Sequence, residues 1–284
     1  MPSILLTGVS TLDIINHVET YPDEDSEVRA VSQQIRSGGN ASNMAIVIQQ
    51  LGIQANLLAK RADDSNASLI FSYLENKLVQ TSFCPVQKHS STPTSYITLN
   101  QANGSRTIVH YRKLDELDIA DFNNVDLNQF DWLHFEARNC LHLLAMLKHS
   151  LAFNKPVSIE LEKPREAIED ILPYANVLLI SKPFAESQGF SSAEDCLLHF
   201  SEQYPDKTIT CTWGELGAWA YFPSQLIHQA APQVSRVVET IGAGDTFNAG
   251  FISSLINGQS VNDSLEFATK LATKKCQQSG FDNL

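Results

Sequence analysis

The amino-acid sequence predicts an α/β protein, a parallel sheet with helices on both faces and a small β appendage. Three observations predict it. From Asp131 onward, strand-like runs alternate with helical spacings, the rhythm of βα units. Two polar, alternating stretches, 14–36 and 94–111, read instead as hairpins. The first apolar run, Ile4-Leu5-Leu6-Thr7-Gly8-Val9, ends in glycine as a buried parallel strand does.

Each element follows in order. Asp13 sits just past the first strand, where open α/β sheets bind ligands. The 14–36 stretch turns at Tyr21-Pro22-Asp23-Glu24-Asp25 and stops at Gly38-Gly39. Residues 40–51 then have helical spacing, with Ala41, Met44, Ala45, Val47 and Ile48 on the apolar stripe and Gly52 as the stop. The second hairpin draws on Tyr96, Thr98, Thr107, Val109 and Tyr111 around an Asn103-Gly104 turn. Together the hairpins predict a four-stranded sheet. One of its faces needs a cover, either the main body or a second subunit. Strands are then expected at 132–135, 157–161, 177–180 and 209–212, the last running into Trp213-Gly214. A helix is expected at 141–151, a β-like stretch at 235–240, and two closing helices at 245–256 and 264–276.

With 284 residues, 43% of them hydrophobic, the chain can bury a full core, in one large domain or one large domain plus a small appendage. A formal net charge of -12 repels phosphate backbones, so no nucleic-acid partner is expected. A nucleotide is compatible with that charge, because local amides and a basic side chain hold it. The first 12 residues are too short and uncharged for a signal peptide. No apolar run reaches the roughly 18 residues of a membrane span. Five cysteines, Cys84, Cys140, Cys196, Cys211 and Cys276, show no C-x-x-C spacing. They suit reduced thiols in a cytoplasmic protein better than disulfides or zinc.

Two glycine-led helix starts carry the chemistry. Gly242-Ala243-Gly244-Asp245-Thr246-Phe247 lies between the β-like stretch and a helix. Its glycines let the backbone approach a ligand and aim N–H groups at it, and the helix end adds partial positive charge: an anion hole. Asp245 is then either a helix N-cap or a general base that takes a proton from a substrate hydroxyl. Gly38-Gly39-Asn40-Ala41-Ser42-Asn43 opens the other helix. Asn40 and Asn43, three apart, share a face and suit sugar hydroxyls; an N-cap with an incidental second Asn is the alternative. Asp13 adds a carboxylate for hydroxyls, or is a loop residue. His110 and His134 read as packed strand residues, and Cys276 as a structural thiol.

The strings G-G-N-A-S-N and G-A-G-D-T-F resemble the two signatures of the ribokinase-like (PfkB) carbohydrate kinases, and the resemblance spans the chain. Within that family the ketohexokinase-like branch is indicated by five strings. They are Tyr21-Pro22 to Glu27, Gly104 to Ile108, Glu136 to Asn139, Glu160 to Glu166 and Lys274 to Asp282. The resemblance implies a three-layer α/β/α sandwich with a β-sheet lid at about 14–37 and 93–113. It implies ATP with Mg2+ and a small sugar, most readily D-fructose phosphorylated to fructose 1-phosphate. Asp245 matches the base, with Gly242, Ala243 and Gly244 as the anion hole. Asp13, Gly39, Asn40 and Asn43 match sugar-binding positions, and Asp25 matches a position closing over the sugar in homodimers whose lids clasp. Arg106 matches an arginine for the ATP phosphates. Thr212, Gly214, Gly217 and Cys276 would border the nucleotide.

Two departures stand out. The family's N-x-x-E motif, tied to magnesium, is replaced by Ser181-Lys182-Pro183-Phe184, so the metal ligands are unassigned. Glu239 stands where relatives usually carry Asp, near a monovalent-cation site, so K+ use stays open. Other acceptors, such as ribose, a nucleoside or a ketodeoxy acid, are alternatives, as is a non-catalytic sugar sensor. A Rossmann dinucleotide enzyme is disfavoured, since Gly8-Val9-Ser10 lacks the G-x-G-x-x-G spacing.

Overall fold

The computed structural model describes residues 1–103 and 105–284. Gly104, half of the expected Asn103-Gly104 turn, lies outside the described residues. The chain opens with β1 (Ser3–Gly8), β2 (Thr11–Val18), β3 (Ser32–Gly38) and α1 (Asn40–Gln50). Next come β4 (Gln54–Ala59), β5 (Arg61–Ala62), α2 (Ser65–Asn76), β6 (Val86–Gln87), β7 (Ser91–Asn100), β8 (Arg106–Lys113) and the short α3 (Ile119–Phe122). The βα rhythm then runs β9 (Trp132–Glu136), α4 (Cys140–Ser150), β10 (Val157–Leu161), β11 (Val177–Ile180), α5 (Lys182–Ser187), α6 (Ala193–Gln203) and β12 (Thr208–Thr212). A hairpin of β13 (Ala218–Phe222) and β14 (Gln225–Gln229) leads to α7 (Ala243–Ile256) and α8 (Val261–Cys276).

The main sheet has the order β14-β13-β12-β11-β10-β9-β1-β4. From β12 to β4 every pairing is parallel, as the alternating text requires. The expectation of a wholly parallel sheet is corrected at one edge. There β13 and β14 run antiparallel, because a two-residue turn joins them and leaves no room for a crossover helix. Alternate strand residues feed two cores. Ile4, Leu6, Leu57 and Leu179 pack under α1, α2, α7 and α8. Leu5, Leu133, Ile159 and Leu178 pack under α3 to α6. The result is the three-layer sandwich.

The two predicted hairpins form one small sheet, order β3-β2-β7-β8, with β2 and β7 parallel at its centre. One cross-strand row, Ile35–Ile14–Tyr96–Val109, lies on a single face. Ile35, Tyr96 and Val109 each expose more than half of their surface.

The β-like stretch 235–240 is not a strand. The N–H groups of Val238 and Glu239 donate to the Cys276 carbonyl, at 2.7 and 3.2 Å, instead of to a neighbouring strand. The helix after it starts earlier than expected, at Ala243, with Gly242 as its N-cap. All five cysteines are free. Among the described residues no helix is long and apolar enough to cross a membrane.

Candidate active site

The carboxyl ends of β1, β9 and β10 meet the N-termini of α1 and α7, and the site candidates collect there. Gly39 caps α1 with φ +94°, and no side chain caps that helix. Asn40 is therefore the first helical residue and not the cap. Its Nδ2 donates to Glu160 Oε2 at 3.1 Å and to Glu162 Oε2 at 3.3 Å. One turn on, Asn43 is buried, and its Nδ2 donates to Asp245 Oδ2 at 2.6 Å. Asn43 Oδ1 is buried without a partner among the described residues. A buried acceptor left open is costly unless something fills it.

Asp245 lies in the first turn of α7, and no side chain caps that helix. The N-cap alternative for Asp245 is thereby removed, because its carboxylate faces Asn43 and not its own backbone. Gly242 takes φ +77°, a conformation costly for residues with a Cβ. The ring of Phe281 also packs onto it, so that an added Cβ would collide with ring atom Cζ. Ala243 and Gly244 follow as the first two helical residues; the Ala243 N–H donates to the Thr240 carbonyl at 3.2 Å, and the Gly244 N–H is unused by the helix ladder.

Carboxyl groups missed as site residues complete the arrangement. Glu136, at the end of β9, is buried and accepts from the Val9 and Ala41 N–H groups at 3.1 and 2.5 Å. It thereby holds the β1 terminus against α1. Glu160, at the end of β10, accepts from Asn40 on one oxygen and from Asn248 Nδ2, at 3.0 Å, on the other. Asn248 is one turn beyond Asp245, so a single carboxyl ties α7 to α1. The signal was available: Asn248 follows Asp245 by three, and Ser158 and Glu160 alternate as polar residues in an otherwise apolar strand. Both glutamates belong to strings quoted for the subfamily, but spacing alone assigns them no role.

Burial dominates the electrostatics. It pushes the Asp245 carboxyl up to about 7, opposed by the Asn43 hydrogen bond and reinforced by Glu162, Glu136 and Asp13. Burial likewise pushes Glu136 up to about 7. Glu160 is raised well above the usual carboxylate range by burial and by the charges of Asp245, Glu136 and Glu162. Crowded carboxyls in low dielectric cannot all ionise at neutral pH. Asp13, on β2, is raised by burial and held by Thr11 Oγ1 at 3.1 Å.

The remaining candidates are spread more widely. Asp25 is exposed on the β2–β3 connection, and no hydrogen bond among the described residues joins it to the others. Arg106, on β8, is exposed and donates to Thr240 Oγ1 at 3.4 Å, which brings it to the loop before Gly242. Thr212 ends β12, and a short 3-10 turn follows at Gly214–Leu216. Gly217 has φ +93°, its Cα against the Gln229–Ala231 backbone. Cys276 ends α8 half-buried, its thiol raised by burial. His134 is fully buried with Nδ1 at 2.9 Å from Ser158 Oγ, a packed residue as expected.

Among the described residues, no group of three or more His, Cys, Asp and Glu is arranged to hold a metal. Both Glu160 oxygens are taken by Asn40 and Asn248, but Glu162, with its side chain 41% exposed, still fits a hydrated Mg2+ that arrives on a nucleotide. Such an ion needs one or two carboxylates and keeps several waters. Glu239 does not fit a K+ ligand. Its carboxylate is already engaged by Arg36, Lys275 and the Gly280 N–H.

A buried carboxyl beside a glycine-led helix start, with a buried side-chain amide against it, suits group transfer to an alcohol. The chain is a phosphotransferase with an alcohol acceptor. A family model described as pfkB family carbohydrate kinase matches residues 1–284, and the chain belongs to that family. It is 39% identical to ketohexokinase of Mus musculus over 99% of this chain and 98% of that protein. A nucleoside kinase of Methanocaldococcus jannaschii is 25% identical over 91% of this chain and 85% of its own length. Among solved structures, ribokinase of Arabidopsis thaliana complexed with ribose and ATP superposes with TM-score 0.82. It is 18% identical, with 98% of this chain and 93% of that one covered. Ribokinase of Giardia lamblia gives TM-score 0.87 at 15% identity, covering 99% and 96%. At such identities the structural likeness shows the fold.

Proposed function

We propose that this sugar kinase transfers the γ-phosphoryl group of ATP to the primary hydroxyl of a ketohexose, with D-fructose going to fructose 1-phosphate. One observation carries the reading: the buried Asn43–Asp245 contact at the start of α7, with an unpartnered Asn43 oxygen beside it. A sugar hydroxyl donating to that oxygen would fill the vacant acceptor and lie next to Asp245. The 39% identity to mouse ketohexokinase supports the ketose over ribose or a nucleoside.

In this mechanism Asp13, Gly39, Asn40 and Asn43 bind the sugar beneath the small sheet, which serves as a lid. Asp245 accepts the hydroxyl proton as the oxygen attacks the γ-phosphorus. The bond from that phosphorus to the bridging oxygen breaks, and ADP leaves with the electron pair. The Gly242–Gly244 turn holds the transferring oxygens through its N–H groups, that of Ala243 exchanging its Thr240 carbonyl for the phosphoryl oxygen. Arg106 neutralises phosphate charge from the lid, and Thr212, Gly214, Gly217 and Cys276 border the nucleotide. Glu162 would hold the Mg2+ of the nucleotide through water, and that ion would shield the phosphate charge.

The reading also includes a homodimer. The apolar row Ile35–Ile14–Tyr96–Val109 is suited to a second copy of the same sheet, which would bring Asp25 over the partner's sugar.

The test is an ATP-coupled panel with fructose, tagatose, ribose and adenosine. Fructose is expected to give the highest kcat/KM, and a lead by ribose or adenosine overturns the substrate assignment. Asp245→Asn is expected to keep sugar binding and lose kcat by ~10² or more. Near-normal kcat in that variant ends the general-base mechanism.

A further inference from the structure

The loop that presents the anion hole has no regular structure of its own. From Ala230 to Ile241 no residue is in a helix or strand, yet the amides that follow must be held to within about 0.5 Å to act on a transferring group. The charged side chain that anchors this loop to its surroundings is Glu239, three residues before Gly242.

Its carboxylate is a junction of three parts of the chain. Arg36, on β3 of the small sheet, donates from Nη1 to Glu239 Oε1 at 2.7 Å and Oε2 at 2.9 Å. Lys275, in the last turn of α8, places Nζ 3.4 Å from Oε2. The Gly280 N–H donates to the same oxygen at 3.1 Å. Arg36 Nη2 also donates to Ser279 Oγ at 2.7 Å and to Gln34. The Lys275 side chain is wholly buried, and that of Glu239 is 10% exposed. A buried ammonium is retained only where a charge or ring compensates it. Here both do, because Nζ also lies 5.3 Å from the centroid of Phe281. Phe281 is the ring seated on Gly242, and its carbonyl accepts from Gln50 Nε2 of α1 at 2.6 Å. The contacts thus run continuously from the small sheet through Glu239 and Lys275 to Phe281 and the first residue of the hole.

We infer that Glu239, held between Arg36 and Lys275, is a positioning residue: it locks the Gly242–Gly244 amides in their transfer geometry and ties that geometry to the strand of the small sheet that flanks the sugar. Neither it nor Lys275 touches the reacting atoms. The inference rests on the kinase reading, because it assigns a task in phosphoryl transfer.

The discriminating variant is the double substitution Glu239→Gln with Lys275→Met, which removes both buried charges and leaves only the Arg36 guanidinium, 22% exposed, without its carboxylate. Its Tm is expected to stay within several degrees of wild type. Its kcat is expected to fall ~10-fold or more, with the calorimetric Kd for fructose changed less than ~3-fold, since misplacing catalytic groups costs turnover and not ground-state sugar contacts. Arg36→Met, at a partly exposed side chain, provides a second variant should the double one not fold. It is expected to lower kcat in the same sense. Wild-type kcat in whichever of these variants folds overturns the inference. A merely structural role would lower Tm while leaving kcat per folded molecule unchanged. The two readings fail separately: absence of ATP-dependent turnover by wild type on any sugar removes the kinase assignment, whereas unchanged turnover in the variants removes only the positioning role.

Discussion

Asp245 and Glu136 are both buried carboxyls raised to about 7, yet they serve opposite needs. Asp245 must be ionised to act as a base. Its rate profile should therefore rise about tenfold per pH unit up to roughly pH 7 and level off above it, measured as kcat/KM for the sugar. A profile flat from pH 5 to 8 would remove Asp245 from the proton transfer. For stability the sign is reversed. A carboxyl with a raised folded-state pKa binds its proton more tightly folded than unfolded, so stability falls as pH rises from about 4.5 through 7. Glu136→Gln keeps an oxygen for the Val9 and Ala41 N–H groups while removing that charge. It should stabilise the protein at pH 8 by about 1–3 kcal/mol and flatten the pH dependence of Tm. Loss of stability at pH 8 would show that the ionised form is the one the fold prefers.

At the level of elements, α1 and α7 have to be presented to each other in one orientation, and Glu160 is the tie between them through Asn40 and Asn248. Asn248→Ala should leave a buried carboxyl half-satisfied, lower stability by about 1–3 kcal/mol and reduce kcat. Gly242→Ala is the sharper case. It meets both a positive φ and the Phe281 ring, so kcat should fall by ~10² or more with a clear drop in Tm. A silent variant would mean that the loop relaxes freely. These two glycine-led helix starts were legible because Gly-Gly and Gly-x-Gly before an apolar 3.6-residue period is a local pattern. The stretch 235–240 was misread for the same reason. Its Val-Val pair favours a strand locally, but the neighbouring hydrogen-bond partner is Cys276 at the end of α8, 37 and 38 positions away in the chain. The antiparallel β13–β14 edge went unread although β13 is an apolar run, because its partner β14 is bounded by glutamines and its direction is set only by the short turn between them.

Considered as a whole, the molecule leaves one sheet face uncovered. Ile35, Tyr96 and Val109, exposed along a row whose fourth member Ile14 is partly buried, are a candidate contact between copies. Sedimentation should give a dimer for wild type. Tyr96→Glu with Val109→Glu should give a monomer whose KM for fructose rises ~10-fold, because interface hot spots of this kind carry most of the association energy. A dimer that survives both charges would place the interface elsewhere.

What the sequence determined by itself was whatever depends on near neighbours: the hairpins, the βα rhythm and the two helix starts. Each rests on a period or a turn residue within a few positions. Only the tertiary structure decided that Asn43 and Asp245, 202 residues apart, share a proton-bearing contact. Only it placed Glu160 between their helices, and only burial made those carboxyls weak acids. Chain separation erases such pairings from any local pattern, since they exist only after β1, β9 and β10 have brought their ends to one edge of the sheet.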